Sequence, residues 1–199
     1  MYKAIDIAII PEQSILNLAC QINASFEDRR IDLNLVNAVP HLTLSMGVIA
    51  QANEQVLVDG LKVLAEKYQG LELELSHVFN AGFKTDSAEG LGIAASEDLM
   101  NLHNDSVELM QAYIEGYYEA DIFADYEQGL GESCMNWLKR FQVECTGKNF
   151  DPHITLGFGS VPEQKPCKFK AGLLALYQLG NYCTCNSLIA EFNLHKSQN

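Results

Sequence analysis

At 199 residues the chain is long enough for one generous domain and too short for a typical two-domain enzyme. Hydrophobic residues make up 48% and charged residues 20%, which excludes a disordered, collagenous or low-complexity protein. Lys+Arg 13 against Asp+Glu 26 leaves a net charge of −13, so the exterior repels polyanions and rules out broad binding to duplex nucleic acid or to anionic membranes.

The apolar run Ala4-Ile5-Asp6-Ile7-Ala8-Ile9-Ile10 stops at Pro11 and reads as a buried strand. It is too short for a signal peptide and carries Asp6 inside it, and no later stretch reaches the roughly 18 uninterrupted apolar residues of a membrane helix; a soluble, cytoplasmic protein is expected. Ile15, Leu16, Leu18, Ala19 and Ile22 have helical spacing and predict a helix over 12–26. Pro40 introduces a second strand, 41–49, and Leu57, Leu61, Leu64 and Tyr68 mark a second helix that ends at Gly70. Leu71-Glu72-Leu73-Glu74-Leu75 alternates as a half-exposed strand that extends toward Gly82, and 91–95 is a short strand. Ser96 is an N-cap, with Glu97 and Asp98 in the first turn of a helix running to about Tyr117. The acidic stretch 119–148 shows little pattern beyond a short helix near 134–141. The tail predicts a strand at 153–158 and a hairpin, 171–179 with 185–194, turning at Gly180-Asn181. In a chain of this kind the six cysteines are expected to stay reduced, and the Cys183-x-Cys185 spacing does not make a zinc knuckle. No metal or other cofactor is expected.

One internal repeat carries chemistry. Pro40-His41-Leu42-Thr43-Leu44-Ser45-Met46-Gly47 matches Pro152-His153-Ile154-Thr155-Leu156-Gly157-Phe158-Gly159 at the Pro, His, Thr, Leu and Gly positions. Strand alternation points His41, Thr43 and Ser45 to one face, and His153, Thr155 and Gly157 likewise in the second copy, with the apolar residues beneath. Two imidazoles with ordinary pKa values near 6.5 suit phosphoryl chemistry, because one can accept a proton from the attacking oxygen while the other protonates the departing one. Thr43 and Thr155 are placed to donate hydrogen bonds to non-bridging phosphate oxygens.

The two His-x-Thr copies, His41-x-Thr43 and His153-x-Thr155, about a hundred residues apart, resemble the signature of the 2H phosphoesterases, the group of 2′-5′ RNA ligase-like proteins and cyclic nucleotide phosphodiesterases. The tail from Ala175-Leu176-Tyr177-Gln178-Leu179 to Ala190-Glu191-Phe192-Asn193-Leu194 is similar to that family's last hairpin. The resemblance implies an α+β fold over residues 1–199 as one bilobal domain, two pseudo-symmetric lobes each with an antiparallel sheet and outer helices around a central cleft. It implies catalytic His41, Thr43, His153 and Thr155, and metal-independent hydrolysis of 2′,3′-cyclic phosphates or 2′-linked phosphodiesters in a nucleotide or short RNA. The protein is expected to act as a monomer. The alternatives are 2′-5′ RNA ligation, a 2′-5′ oligonucleotide phosphodiesterase, or a nucleotide-binding module without catalysis.

Around this quartet, Ser45 on the cleft face, Gly157 as a clearing for substrate and Tyr177 as a stacking partner for a base are candidate substrate contacts. Phe158 falls by alternation on the core face. His77, His103 and His195 lack a matching partner pattern and read as structural or surface residues. Lys148, Lys168 and Lys170 read as a solvated face, with proximity to the second motif as their one link to phosphate steering.

Overall fold

The computed structural model describes residues 1–80, 88–130 and 132–195. The strands are β1 (Tyr2–Pro11), β2 (Leu42–Ala50), β3 (Glu72–Asn80), β4 (Glu89–Ile93), β5 (His153–Gly157), β6 (Cys167–Leu179) and β7 (Cys185–Asn193). The helices longer than one turn are α1 (Gln13–Ala24), α2 (Glu54–Lys67), α3 (Glu97–Gln111) and α4 (Glu132–Glu144), so the fold is α+β as the sequence implies. The extension of β3 to Gly82 lies outside the described residues.

All strand pairings are antiparallel, in the order β1-β2-β5-β4-β3-β6-β7, and β6 also pairs with β1. The long strand β6 joins two halves: its first residues, Cys167 to Lys170, lie against β3, and the remainder lies between β1 and β7. The halves meet again where Leu42 of β2 faces Ile154 of β5, beside the two motifs. Ile5, Ile7, Ile9, Leu42, Leu44, Leu174 and Leu176 pack with Ile15, Ala19, Leu57, Leu61, Leu99 and Leu102 of α1, α2 and α3 in the main core. A second core lies under α4, where Cys134, Leu138 and Phe141 cover Ala4, Met46, Val48 and Leu179.

The helix ends follow local chemistry. Ser96 caps α3, its hydroxyl accepting from Leu99 N–H at 3.2 Å. This helix stops at Gln111 rather than near Tyr117. Past its pairing with β5, the edge of β2 offers free groups, and Ile114 bridges Ile49 while Glu115 N–H donates to Val48 O at 2.8 Å. The poorly patterned acidic stretch contains single 3₁₀ turns at Ala120–Ile122 and Tyr126–Gln128 before α4.

The two halves share a local irregularity. On β1–β2 the register passes from Ile7↔Ser45 to Ala8↔Thr43, leaving Leu44 as the extra residue. On β4–β5 it passes from Glu89↔Gly157 to Gly90↔Thr155, leaving Leu156. The second motif thus carries the same bulge as the first, one residue beyond its threonine, and β1–β2 and β4–β5 are equivalent. The fit at Gly90 is tight: a Cβ there would lie 2.3 Å from Ile154 O, a backbone atom that cannot move aside without shifting β5. Gly90→Ala is therefore expected to destabilise the protein by at least about 2 kcal/mol. Urea denaturation checks this, and an unchanged midpoint would contradict the close approach of β4 to β5.

Candidate active site

His41 stands immediately before β2, and its Nδ1 lies 2.7 Å from Val39 O; His153 opens β5, and its Nδ1 lies 2.7 Å from Asp151 O. In both cases the carbonyl two residues upstream takes the Nδ1 hydrogen, which leaves Nε2 as the proton-exchanging atom. Both rings, with Thr43 and Thr155, line one cleft whose other walls are Ile31, Leu33, Met46, Trp137, Phe141 and the turn Tyr182-Cys183-Thr184. An adjoining cleft shares Thr43, His153, Trp137 and Phe141 and continues along Phe79, Asn149 and Phe150. The four motif side chains, far apart in sequence, therefore share one concave site.

Burial disfavours charge on both rings. The His41 pKa is lowered to about 4, chiefly by desolvation and further by His153, with the hydrogen bond to Val39 opposing. That of His153 is also lowered by desolvation, against the Asp151 carbonyl and carboxylate. The Phe79 ring stacks on His153 with centroids 3.5 Å apart.

Beneath His41 lies a group the motif analysis did not single out. Asp6 is fully buried on β1; its Oδ2 accepts from Thr43 Oγ1 at 2.7 Å and lies 3.4 Å from His41 Nε2, while Oδ1 is buried without a partner. Desolvation raises its pKa well above the carboxylate range, against the Thr43 bond. The sequence signal was a single acid inside an otherwise apolar strand, since such residues are seldom buried without a purpose. Asp6, His41 and Cys185 bring a carboxylate, an imidazole and a thiol within 4.8 Å of one another. Burial raises the pKa of both the Asp6 carboxyl and the Cys185 thiol and so favours their protonated forms, and Thr43 already occupies Oδ2; both effects work against a metal here.

The three expected substrate contacts lie elsewhere, and the bulges explain two of them. Past Leu44 the alternation inverts, so Ser45 turns into the interior, where its hydroxyl accepts from Gln142 Nε2 at 3.1 Å, and Met46 takes its place in the cleft wall. Gly157 likewise faces α1: a Cβ there would meet Asn23 Nδ2 at 3.3 Å and Phe26 and Ile31 at 3.6 Å, and its φ of +130° is one that glycine tolerates. Phe158 is partly buried and packs against the main core, with Arg30 stacked 3.8 Å over its ring and Tyr182 against its edge. Tyr177 is buried on β6 opposite Asp6, packed against Ala8, Val39 and Cys185, and burial pushes its hydroxyl up to about 12.

His103 is structural, as expected. Its Nδ1 donates to Leu44 O at 2.8 Å and its Nε2 accepts from Gly147 N–H at 3.1 Å, which fixes a neutral ring. Lys168 pairs with Glu72 at 2.8 Å on β3, outside both clefts. The aromatic walls Trp137, Phe141, Phe79 and Tyr182 had no recognisable motif; α4 lies in the stretch with the least periodicity.

No protein-family model and no curated protein sequence matches the chain. Solved structures do. A Thermus thermophilus protein, TT0787, is similar with a TM-score of 0.56 and 15% identity, covering 98% of this chain and 100% of its own. A structure described as a phosphoesterase has a TM-score of 0.54 and 13% identity over 98% and 100%. Escherichia coli LigT in apo form has 0.53 and 14% over 98% and 99%, and LigT is also solved with ATP, at 0.53 and 14% over the same shares. The likeness covers nearly the whole chain, and this chain has the fold of LigT and of these phosphoesterase structures.

Proposed function

We propose that the protein is a phosphodiesterase that hydrolyses 2′,3′-cyclic phosphates, or related 2′-linked phosphodiesters, of nucleotides and short RNA by paired-histidine acid–base catalysis. The observation that carries the reading is the convergence of two equivalent His-x-Thr units on one cleft, each ring held through Nδ1 by the carbonyl two residues upstream. Water forms the new bond to phosphorus and gives its proton to one Nε2, while the P–O bond to the ribose oxygen breaks and that oxygen takes a proton from the other Nε2. Thr43 and Thr155 line the space between and hold the non-bridging oxygens. LigT has been solved with ATP, and a nucleotide suits the aromatic walls here, because stacking on a ring face is worth about 1–3 kcal/mol for any base. The negative exterior favours small substrates that enter the cleft over long RNA that must lie across the surface.

The test is turnover of the four 2′,3′-cyclic nucleotides, of 2′-5′ dinucleotides and of 3′-5′ controls, each with and without EDTA. The expected result is cleavage of the cyclic phosphates to monoesters at a rate EDTA does not change, with the 3′-5′ controls intact. Tight nucleotide binding without any product would point to a binding module.

A further inference from the structure

We propose that Asp6 is the positioning partner of His41, that the two buried groups share one proton, and that this makes His41 the general acid and His153 the base. The inference rests on the paired-histidine reading and gives its two histidines different roles.

Matching registers equate β1–β2 with β4–β5: Ala8↔Thr43 corresponds to Gly90↔Thr155, and Ile7↔Ser45 to Glu89↔Gly157. One position further along, Asp6 corresponds to Ala88. Both rings are tied through Nδ1 in the same way and at the same 2.7 Å. The halves differ in their carboxyls: Asp6 is buried against His41 Nε2, whereas His153 has the exposed Asp151 carboxylate nearby and the apolar face of Phe79 against its ring.

Apart from the Thr43 hydroxyl, which donates to Oδ2, no group facing the pair favours a bare carboxylate. Tyr177 stands across from Asp6 on β6, the Cys183 and Cys185 thiols approach from the turn and β7, and His153 faces His41 across the cleft; none supplies a fixed positive charge. An ionised Asp6 would keep an unpartnered charged oxygen, Oδ1, out of water, which costs far more than an unpartnered neutral carbonyl oxygen. A carboxylate at this depth would also repel the phosphate that the neighbouring Thr43 is placed to bind. The stable arrangement of the empty site is one proton over Asp6 and His41. With it on Asp6, the 2.7 Å contact to Thr43 runs from carboxyl to hydroxyl and releases the Thr43 hydrogen for a phosphate oxygen. When the ester bond breaks, the shared proton leaves through His41 Nε2 to the ribose oxygen. Asp6 is reprotonated as the proton taken up by His153 returns through solvent.

The sign of the pH effect follows. The acid must be protonated, so activity falls as pH rises through the pKa at which the pair loses its proton. Asp6→Asn keeps an oxygen for Thr43 but holds no proton to share, and leaves His41 buried with no carboxyl beside Nε2. The basic limb of the kcat profile is expected to move down by about one pH unit or more, with kcat at pH 8 falling about tenfold and KM changing less than about threefold. A carboxyl that only anchors Thr43 would leave the basic limb in place, and that outcome would overturn the assignment. A second measurement needs no variant: in the wild-type chain, NMR of the Asp6 carboxyl carbon and the His41 ring should show the two titrating together, with Asp6 above the ordinary carboxylate range. Independent titration of Asp6 near its ordinary value would refute the shared proton. If instead His153→Ala keeps full turnover while Asp6 and His41 titrate together, the paired-histidine reading has failed and the Asp6–His41 pair has not.

Discussion

Replacing either motif histidine is expected to lower kcat by at least about a hundredfold, because general acid or base catalysis by one positioned side chain contributes roughly 10²–10⁴. Both rings have the same hydrogen bond at Nδ1 and the same cleft at Nε2, so His41→Ala and His153→Ala should each be severe. The double variant should fall well short of the product of the two losses, since once one proton transfer is gone the other has less to assist. KM should change little, because the threonines and the aromatic walls remain. Steady-state kinetics on a cyclic nucleotide, with thermal melts as a folding control, decides it. Near-normal turnover by either well-folded single variant would remove the acid–base mechanism.

The sequence was most legible where structure is periodic. The run before Pro11, the 3.6-residue spacing of Leu57 and Leu61 and the Ser96 cap each rest on local rules, and each element formed where it was expected, although α3 ends six residues short of Tyr117. The motif quartet was legible because it is repeated, and a repeat is visible without a structure. Alternation held from His41 to Thr43 and from His153 to Thr155 and failed at the next residue in both copies. A bulge depends on pairing with β1 and β4, partners that no window around Ser45 or Gly157 contains. Tyr177 was lost for a related reason: β6 lies between β1 and β7, so a residue that looked like an exposed stacking surface is enclosed. Asp6 was visible as an anomaly. Only the sheet register, which sets it beneath Thr43 and His41, gives that anomaly a use.

Asn23→Ala is expected to produce the largest loss of stability among polar substitutions outside the cleft, about 3–5 kcal/mol. Asn23 is completely buried at the end of α1, and three hydrogen bonds engage its amide. Nδ2 donates to Ile31 O at 2.9 Å and to Leu156 O at 2.7 Å, and Oδ1 accepts from Leu33 N–H at 2.9 Å. Alanine strands two carbonyls and one N–H out of water, each costing about 1–3 kcal/mol, with water entry into the space left by the amide as the main relief. Asn23→Asp should be no better, because a carboxylate offers those carbonyls no donor and adds a buried charge. For a chain of this size such a loss lowers Tm by roughly 10 °C. The same contacts reach the cleft. Leu156 is the bulge residue that follows Thr155, and Ile31 and Leu33 line the cleft, so whatever fraction of the variant stays folded should bind substrate less tightly. Chemical denaturation followed by kinetics below the new Tm separates the two effects. A loss under about 1 kcal/mol would mean that the loop and the β5 bulge are held by their own packing rather than by this side chain.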